Sequence, residues 1–341
     1  MEPTGLQNFW FAAFGALIIG YAILDGFDLG VGALSLFGRG GHERRLHLNA
    51  IGPVWDGNEV WLLAGGGALF AAFPIAYATV LSAFYLAIML LLVALIARAV
   101  ALEFRGKVEN PRWQRFWDLA FGAGSATAAL LFGVAMGNIL RGLPLDASGT
   151  FTGSFLDLLH PYPLAVGLLT LVMFACHGAV YMGLKTDGEL RERMRAAGSV
   201  LWAAWIVLYG LVTVMTIFVS PWLFAGVTAK PILWPVLALL FAALLWLPTT
   251  LRAGRWGRAF LCSSVAVGAL VGLAGLSLYP RLAPSRTDPA FSLTIANASS
   301  SPRTLETMMI IALIGMPIVV AYTIYIYRQF KGRVEITESS Y

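Results

Sequence analysis

The chain is 341 residues long, with 59% hydrophobic and 12% charged residues and a formal net charge of +5. So little polar surface cannot coat a soluble globule, and the composition reads as an all-α integral membrane protein. The basic residues fall in short stretches between apolar runs, which makes the positive charge a topology signal and not a nucleic-acid footprint.

A spanning helix needs about 20 apolar residues at about 1.5 Å rise each, and nine stretches qualify in one polytopic domain covering residues 1–341. The first, Phe9–Phe37, has no Lys or Arg ahead of it before Arg39. With no basic region of a signal peptide in front, this helix is expected to be retained. It carries Asp25 and Asp28, whose i, i+3 spacing puts both carboxylates on one helical face. Gly26 and Gly30 form a small-xxx-small step that lets another helix approach closely. The loop Gly38–Ile51 mixes acids and bases and can hold a short surface helix.

The second stretch, Pro53–Phe73, opens with Trp55-Asp56-Gly57-Asn58-Glu59-Val60-Trp61. A carboxylate at mid-bilayer costs roughly 2.5–3.5 kcal/mol on insertion scales, so ionisable residues at that depth point to an ion pathway, a proton relay or a polar partner. The plain alternative is that Asp56, three residues after Pro53, is a first-turn acid favoured by the helix dipole. The Gly65-Gly66-Gly67 run further along reads as close helix packing. A third stretch, Tyr77–Phe104, ends on Arg98, Glu103 and Arg105, and a fourth, Phe116–Leu140, begins near Asp118. Arg98 and Arg105 either snorkel to the headgroups or pair with Asp25 and Asp28. In the fourth stretch Gly133 and Gly137 again read as packing positions.

The fifth stretch, Pro163–Leu184, holds Cys176 and His177. His177 is the histidine at membrane depth, and one histidine cannot supply bis-His haem ligation, so a packing role is expected. Neither Cys176 nor Cys262 belongs to a CxxC site or a disulfide framework. After the mixed loop Lys185–Gly198, which can also hold a surface helix, come Val200–Ser220, Ile232–Leu251 and Arg258–Tyr279. The Pro- and Ser-rich loop Pro280–Ser301 is the least helical. Ser301-Pro302 then looks like an N-cap and first-turn proline opening the ninth stretch, Leu305–Arg328. Trp10, Trp55, Trp113, Trp117 and Trp222 fall near expected interfaces and read as aromatic anchors.

With nine spans, 18 of the 23 Lys and Arg residues fall on one side and 5 on the other. The positive-inside rule puts the N-terminus outside and the C-terminus in the cytoplasm. Asp25 then lies about 24 Å along the helix from Phe9, in the inner half of the bilayer, and Asp28 one turn deeper. Asp56 and Glu59, Arg98, Glu103, Arg105 and Asp118 converge on the same half.

The segments Asp25-Gly26-Phe27-Asp28-Leu29-Gly30-Val31-Gly32 and Gly52-Pro53-Val54-Trp55-Asp56-Gly57-Asn58-Glu59-Val60-Trp61-Leu62 resemble subunit II of the cytochrome bd quinol oxidases. So do Gly67 to Pro74, Arg98 with Glu103-Phe104-Arg105, Trp117-Asp118 with Gly133 and Gly137-Asn138, and Ser292 to Ile295 with Asn297 to Ser300. The resemblance runs over nearly the whole chain. It implies nine transmembrane helices, arranged as two four-helix bundles plus one peripheral helix, in a bacterial or archaeal plasma membrane. It also implies a homologous subunit I that carries two b-type haems, one d-type haem and the quinol-oxidising loop. No cofactor or metal is then ligated by this chain itself. In some members a quinone is bound structurally in subunit II, and small accessory subunits are further candidate partners.

By the same resemblance, subunit II is needed for assembly, and proton access to the oxygen-reducing haem is attributed partly to its acids. The aspartate of the Trp-Asp-Gly-Asn motif falls on Asp56 and the acids of the Asp-Gly-Phe-Asp motif on Asp25 and Asp28, while His177 belongs to no family motif. The expected activity is quinol oxidation with four-electron reduction of oxygen to water. A proton pathway through Asp56, Asp25, Asp28 and Glu59 would be supported by ion pairs of Arg98, Glu103, Arg105 and Asp118. Two rival readings are a proton-coupled secondary transporter, whose site would sit near the midplane between broken helices, and a purely structural subunit.

Overall fold

The computed structural model describes residues 2–224 and 230–334. Eleven helices follow one another: α1 Gly5–Ser35, α2 Gly40–Ile51, α3 Trp55–Ala72, α4 Pro74–Ala83, α5 Tyr85–Phe104, α6 Pro111–Arg141, α7 Pro161–Lys185, α8 Gly188–Val219, α9 Leu233–Arg252, α10 Trp256–Leu278 and α11 Pro302–Gln329. Two short antiparallel strands, β1 Arg281–Ala283 and β2 Leu293–Thr294, stiffen the loop before α11.

Among the described residues, α1 and α5 to α11 are long and apolar enough to cross a membrane. The expected second span is α3, 18 residues long and outside that set. Asp56, Asn58 and Glu59 fill its first two turns and lower its hydropathy. The third expected span, over Tyr77–Phe104, is two helices. Pro74 opens α4 after Phe73, whose backbone (φ −135°, ψ 62°) is not helical. Regular geometry lapses again at Phe84 (φ −98°, ψ 18°). The Phe84 amide still donates to the Val80 carbonyl at 3.0 Å, and the Ile88 amide to the Phe84 carbonyl at 2.7 Å, so the break is a kink and not a loop. Of the two mixed loops, the first contains α2. The second is absorbed into α8, which already begins at Gly188 and continues unbroken to Val219.

Helix termini carry the local signals expected of them. Asn110 caps α6 by accepting from the Arg112 and Trp113 amides, and Ser301 caps α11 by accepting from the Thr304 amide at 3.3 Å. Each cap satisfies donors that a helix start leaves open.

Packing centres on α1 and α7. Helix α1 touches α3, α6, α7 and α10; α7 touches α6, α8 and α10; α5 leans on α6, and α9 on α10. Close approach depends on glycine: a Cβ at Gly30 would collide with the Phe174 carbonyl, and one at Gly178 would come within 2.5 Å of the Gly30 carbonyl carbon. Gly133 and Gly137 meet Gly167 and Pro163 in the same way. Gly66 and Gly67 differ from the expectation, because a Cβ there would meet nothing within 4 Å. Helix α11 is peripheral, with Leu305 as its buried residue. Trp10, expected as an interfacial anchor, is instead buried, and its indole donates to the Leu305 carbonyl at 2.9 Å.

Candidate functional site

Three helix segments deliver charged and polar side chains to one place. From α1 come Asp25 and Asp28, from α3 Asn58 and Glu59, and from α5 Arg98. Asp25, Asp28 and Arg98 are fully buried, and the Glu59 side chain keeps 26% of its surface. The Arg98 guanidinium is forked onto Asp25, with Nη2 donating to Oδ1 at 2.8 Å and Nη1 to Oδ2 at 3.3 Å. Nη1 also donates to Glu59 Oε1 at 3.0 Å, and Nη2 lies 4.0 Å from Asp28 Oδ2. Snorkelling is therefore not what Arg98 does; it is enclosed by three carboxylates. Bidentate pairing of this kind fixes geometry as well as charge.

Asn58 ties the cluster together. Its Nδ2 donates to Asp28 Oδ2 at 2.7 Å and to the Leu24 carbonyl at 3.1 Å. Its Oδ1 accepts from the Tyr327 hydroxyl at 3.0 Å, which links the peripheral α11 to the cluster. Asp28 Oδ1, Arg98 Nε and the Tyr21 hydroxyl are buried without a hydrogen-bond partner. Buried polar atoms are normally satisfied; His47 Nε2, Ser220 Oγ and the indole nitrogens of Trp61, Trp117 and Trp205 are unpartnered elsewhere, but here the orphans include a carboxylate and a guanidinium atom.

Asp56 sits apart. It is exposed in the first turn of α3, one turn before Glu59, and makes no hydrogen bond to the cluster. Arg105 and Asp118 form a second group: Asp118 accepts from Arg105 Nε, lies 3.4 Å from Arg105 Nη2 and is 3.5 Å from Arg44 Nη1. This pair fastens the α5–α6 turn to α2. Glu103 is exposed at the end of α5.

A third group rims the same end. Glu43 on α2 accepts from Arg193 Nη1 through both carboxylate oxygens, each at 2.7 Å, and from the Arg39 amide at 2.6 Å. Partial burial opposes ionisation, but the Arg39 amide and the Arg193 guanidinium together hold Glu43 below the ordinary glutamate range. His47, one turn later, is buried, and burial pushes its imidazole below the usual histidine value.

His177 is fully buried with both ring nitrogens engaged. Nδ1 lies 2.7 Å from Ser263 Oγ and Nε2 3.1 Å from the Ile23 carbonyl, and the ring stacks on Phe260 with centroids 5.0 Å apart. No nitrogen is left to hold a haem iron, so this residue does not fit that role. Among the described residues no group of three or more His, Cys, Asp or Glu side chains could hold a metal ion.

A many-helix fold enclosing a carboxylate-rich ionic cluster defines a polytopic membrane protein that keeps charge at depth. The family model for cytochrome bd terminal oxidase subunit II matches residues 6–330. The chain is 38% identical to the probable cytochrome oxidase subunit 2 of Haemophilus influenzae, over 97% of this chain and 95% of that one. It is 36% identical to the cytochrome bd-I ubiquinol oxidase subunit 2 of Escherichia coli, over 96% and 95%. Its fold is similar to a chain in the structure of bd oxidase from Geobacillus thermodenitrificans, with a TM-score of 0.79 and 18% identity over 96% of this chain and 99% of that one. The chain belongs to the cytochrome bd terminal oxidase subunit II family and is a subunit of a quinol:oxygen oxidoreductase. The transporter reading falls with this assignment.

Proposed function

We propose that this subunit does two things for its complex: it stabilises a haem-bearing subunit I, and it carries protons from the cytoplasm toward the oxygen-reducing site. The observation that supports the second role is the imbalance around Arg98. Three carboxylates share one guanidinium in a low-dielectric interior, so the cluster has a place for a proton as well as a cation. Glu59, alone of the three in keeping exposed surface, is the side through which a proton would enter, and Asp56, one turn closer to solvent, is the collecting group. Asp25, clamped by the Arg98 fork, acts as the fixed counter-charge. This assigns Asp56 and Glu59 to proton transfer, Asp28 to the inner end of the route, and Arg98, Arg105 and Asp118 to support. The haems, two of b type and one of d type, belong to subunit I in this reading, as does quinol oxidation.

Topology follows the charge bias. The end of the molecule carrying α2, the α5–α6 turn, the α7–α8 turn and residues after α11 faces the cytoplasm, and the N-terminus faces outward. The three ionic groups cluster at that end.

Asp56→Asn tests the relay, because it keeps side-chain volume and cannot carry a proton. The variant is expected to assemble with full haem content and to lose turnover by about tenfold or more, in line with removal of a positioned proton-transfer group. Wild-type turnover and potential generation would leave the purely structural role as the account of these acids. The Asp25–Arg98 fork itself favours a structural role for those two residues, since a buried bidentate pair is poorly suited to proton exchange.

A further inference from the structure

The inner end of the molecule is rich in arginine, and its arginines are of two kinds. Arg39, Arg44, Arg105, Arg191, Arg193 and Arg333 each pair with a carboxylate. Arg112, Arg115 and Arg328 form no ion pair among the described residues; the α9–α10 turn gathers three further arginines, with no acid, in the one segment Arg252–Arg258. Arg252, Arg255 and Arg258 are all exposed, and none forms an ion pair among the described residues.

The turn that presents them is rigid. Gly254 adopts a left-handed backbone (φ 63°). Its amide donates to the Leu251 carbonyl at 3.1 Å and the Arg255 amide donates to the Thr250 carbonyl at 2.9 Å. This paired closure of a helix end holds the chain in one conformation. Trp256 then plugs into the interior: it is buried, a Cβ at Gly183 would strike its ring, and the Arg191 guanidinium covers it at 5.8 Å. The turn thus presents three exposed cations, none with a counter-ion among the described residues.

Below them runs a bare apolar face. Phe241, Leu245, Thr249 and Arg252 lie on one side of α9 at spacings of four, four and three, and all are exposed, Leu245 at 68%. On α10, Leu261 is 63% exposed one turn after Arg258. An amphiphile with an anionic head and acyl chains matches this surface in both its charge and its apolar parts, whereas a soluble anion would use the arginines alone.

We infer that the α9–α10 turn binds the headgroup of an anionic phospholipid, with its acyl chains lying along the exposed face of α9. That the lipid comes from the inner leaflet rests on the proposed topology; the binding itself does not.

The test uses the intact oxidase complex, delipidated in mild detergent and titrated with phosphatidylglycerol, phosphatidylcholine or inorganic phosphate, with bound molecules counted by native mass spectrometry. The wild type should retain phosphatidylglycerol in preference to phosphatidylcholine. In the combined Arg252→Gln, Arg255→Gln, Arg258→Gln variant the affinity for phosphatidylglycerol should fall by about tenfold or more. Lysine at the same three positions should keep the preference, and Arg39→Gln with Arg333→Gln, which removes cations already paired with Glu189 and Asp187, should leave binding unchanged. Haem absorbance in each variant reports that the complex is assembled. Undiminished phosphatidylglycerol binding in the triple glutamine variant, equal binding of phosphatidylcholine, or displacement by inorganic phosphate at matched concentration would each overturn the proposal.

Discussion

Two polar sites lie on opposite faces of α1 and are built on opposite principles. On one face His177 reaches the Ile23 carbonyl and Ser263, with every ring nitrogen taken and Phe260 stacked on the ring. On the other, Asp25, Asp28 and Glu59 crowd around Arg98 with more carboxylates than guanidinium, and with Asp28 Oδ1 and Arg98 Nε left unpartnered. Full satisfaction makes a buried polar group a fixed part of the packing. Unequal charge leaves a group whose state can change. Burial is common to both sites; what differs between them is the balance of partners, and the proposed proton role rests on that difference.

The sharpest way to break that contrast is to remove its centre. Arg98→Leu leaves Asp25 and Asp28 buried, and Glu59 half-buried, against an apolar side chain, and loss of one partner of a buried ion pair costs about 3–5 kcal/mol. That variant is expected to lose the assembled complex from the membrane. His177→Ala, by contrast, should reduce thermal stability while leaving the haem spectrum unchanged; loss of a haem per complex would show that the two faces were read the wrong way round.

A smaller effect is expected where the peripheral helix meets the cluster. Tyr327→Phe deletes the hydrogen bond to Asn58 Oδ1, worth about 1 kcal/mol, and frees the amide that orients Asp28. Turnover should fall by a few-fold without loss of haem, and a Tyr327→Phe, Asp56→Asn double variant should be no slower than Asp56→Asn alone if both act on one route.

The smallest effect lies at the rim, in α2. Glu43 and His47 are both held below their ordinary values of 4.5 and 6.5. For each, the unfolded segment takes up a proton at higher pH than the folded one. Their contribution to stability is thus complete above the unfolded value and is lost as pH falls through the depressed folded value. Limited proteolysis in the α2 segment should accelerate as pH is lowered from 7 toward 4, and Glu43→Gln should flatten the acid part of that curve.

Charge inside apolar stretches made Asp25, Asp28, Asp56, Glu59 and Arg98 visible in the sequence, because such residues are rare at membrane depth. The i, i+3 spacing of the two aspartates gave their common face. How the charges pair was not legible, since it depends on how α1, α3 and α5 rotate about their axes. Tyr327 was missed for a related reason: it stands in α11 near Tyr322 and Tyr325, and nothing in the spacing tells which hydroxyl turns inward. The kink at Phe84 has no Pro or Gly to announce it. It arises where Phe84 is buried in one apolar cluster with Phe73 and Ala76. Likewise, the mixed charges of Lys185–Gly198 suggested a separate surface helix, yet they form the first turns of α8, whose start is held where Asp187 and Arg191 pair at i, i+4 and Arg191 Nε reaches the Gly183 carbonyl at 2.9 Å.

The claim at the centre of this account is that the Arg98 cluster carries an exchangeable proton admitted through Glu59. Infrared difference spectra of the complex, recorded between reduced and oxygen-reacted states, read protonated carboxyl groups directly through their C=O stretch. The account predicts a carboxyl band in the wild type that disappears in Glu59→Gln and persists in His177→Ala. A carboxyl band unchanged by Glu59→Gln, with turnover intact, would contradict it.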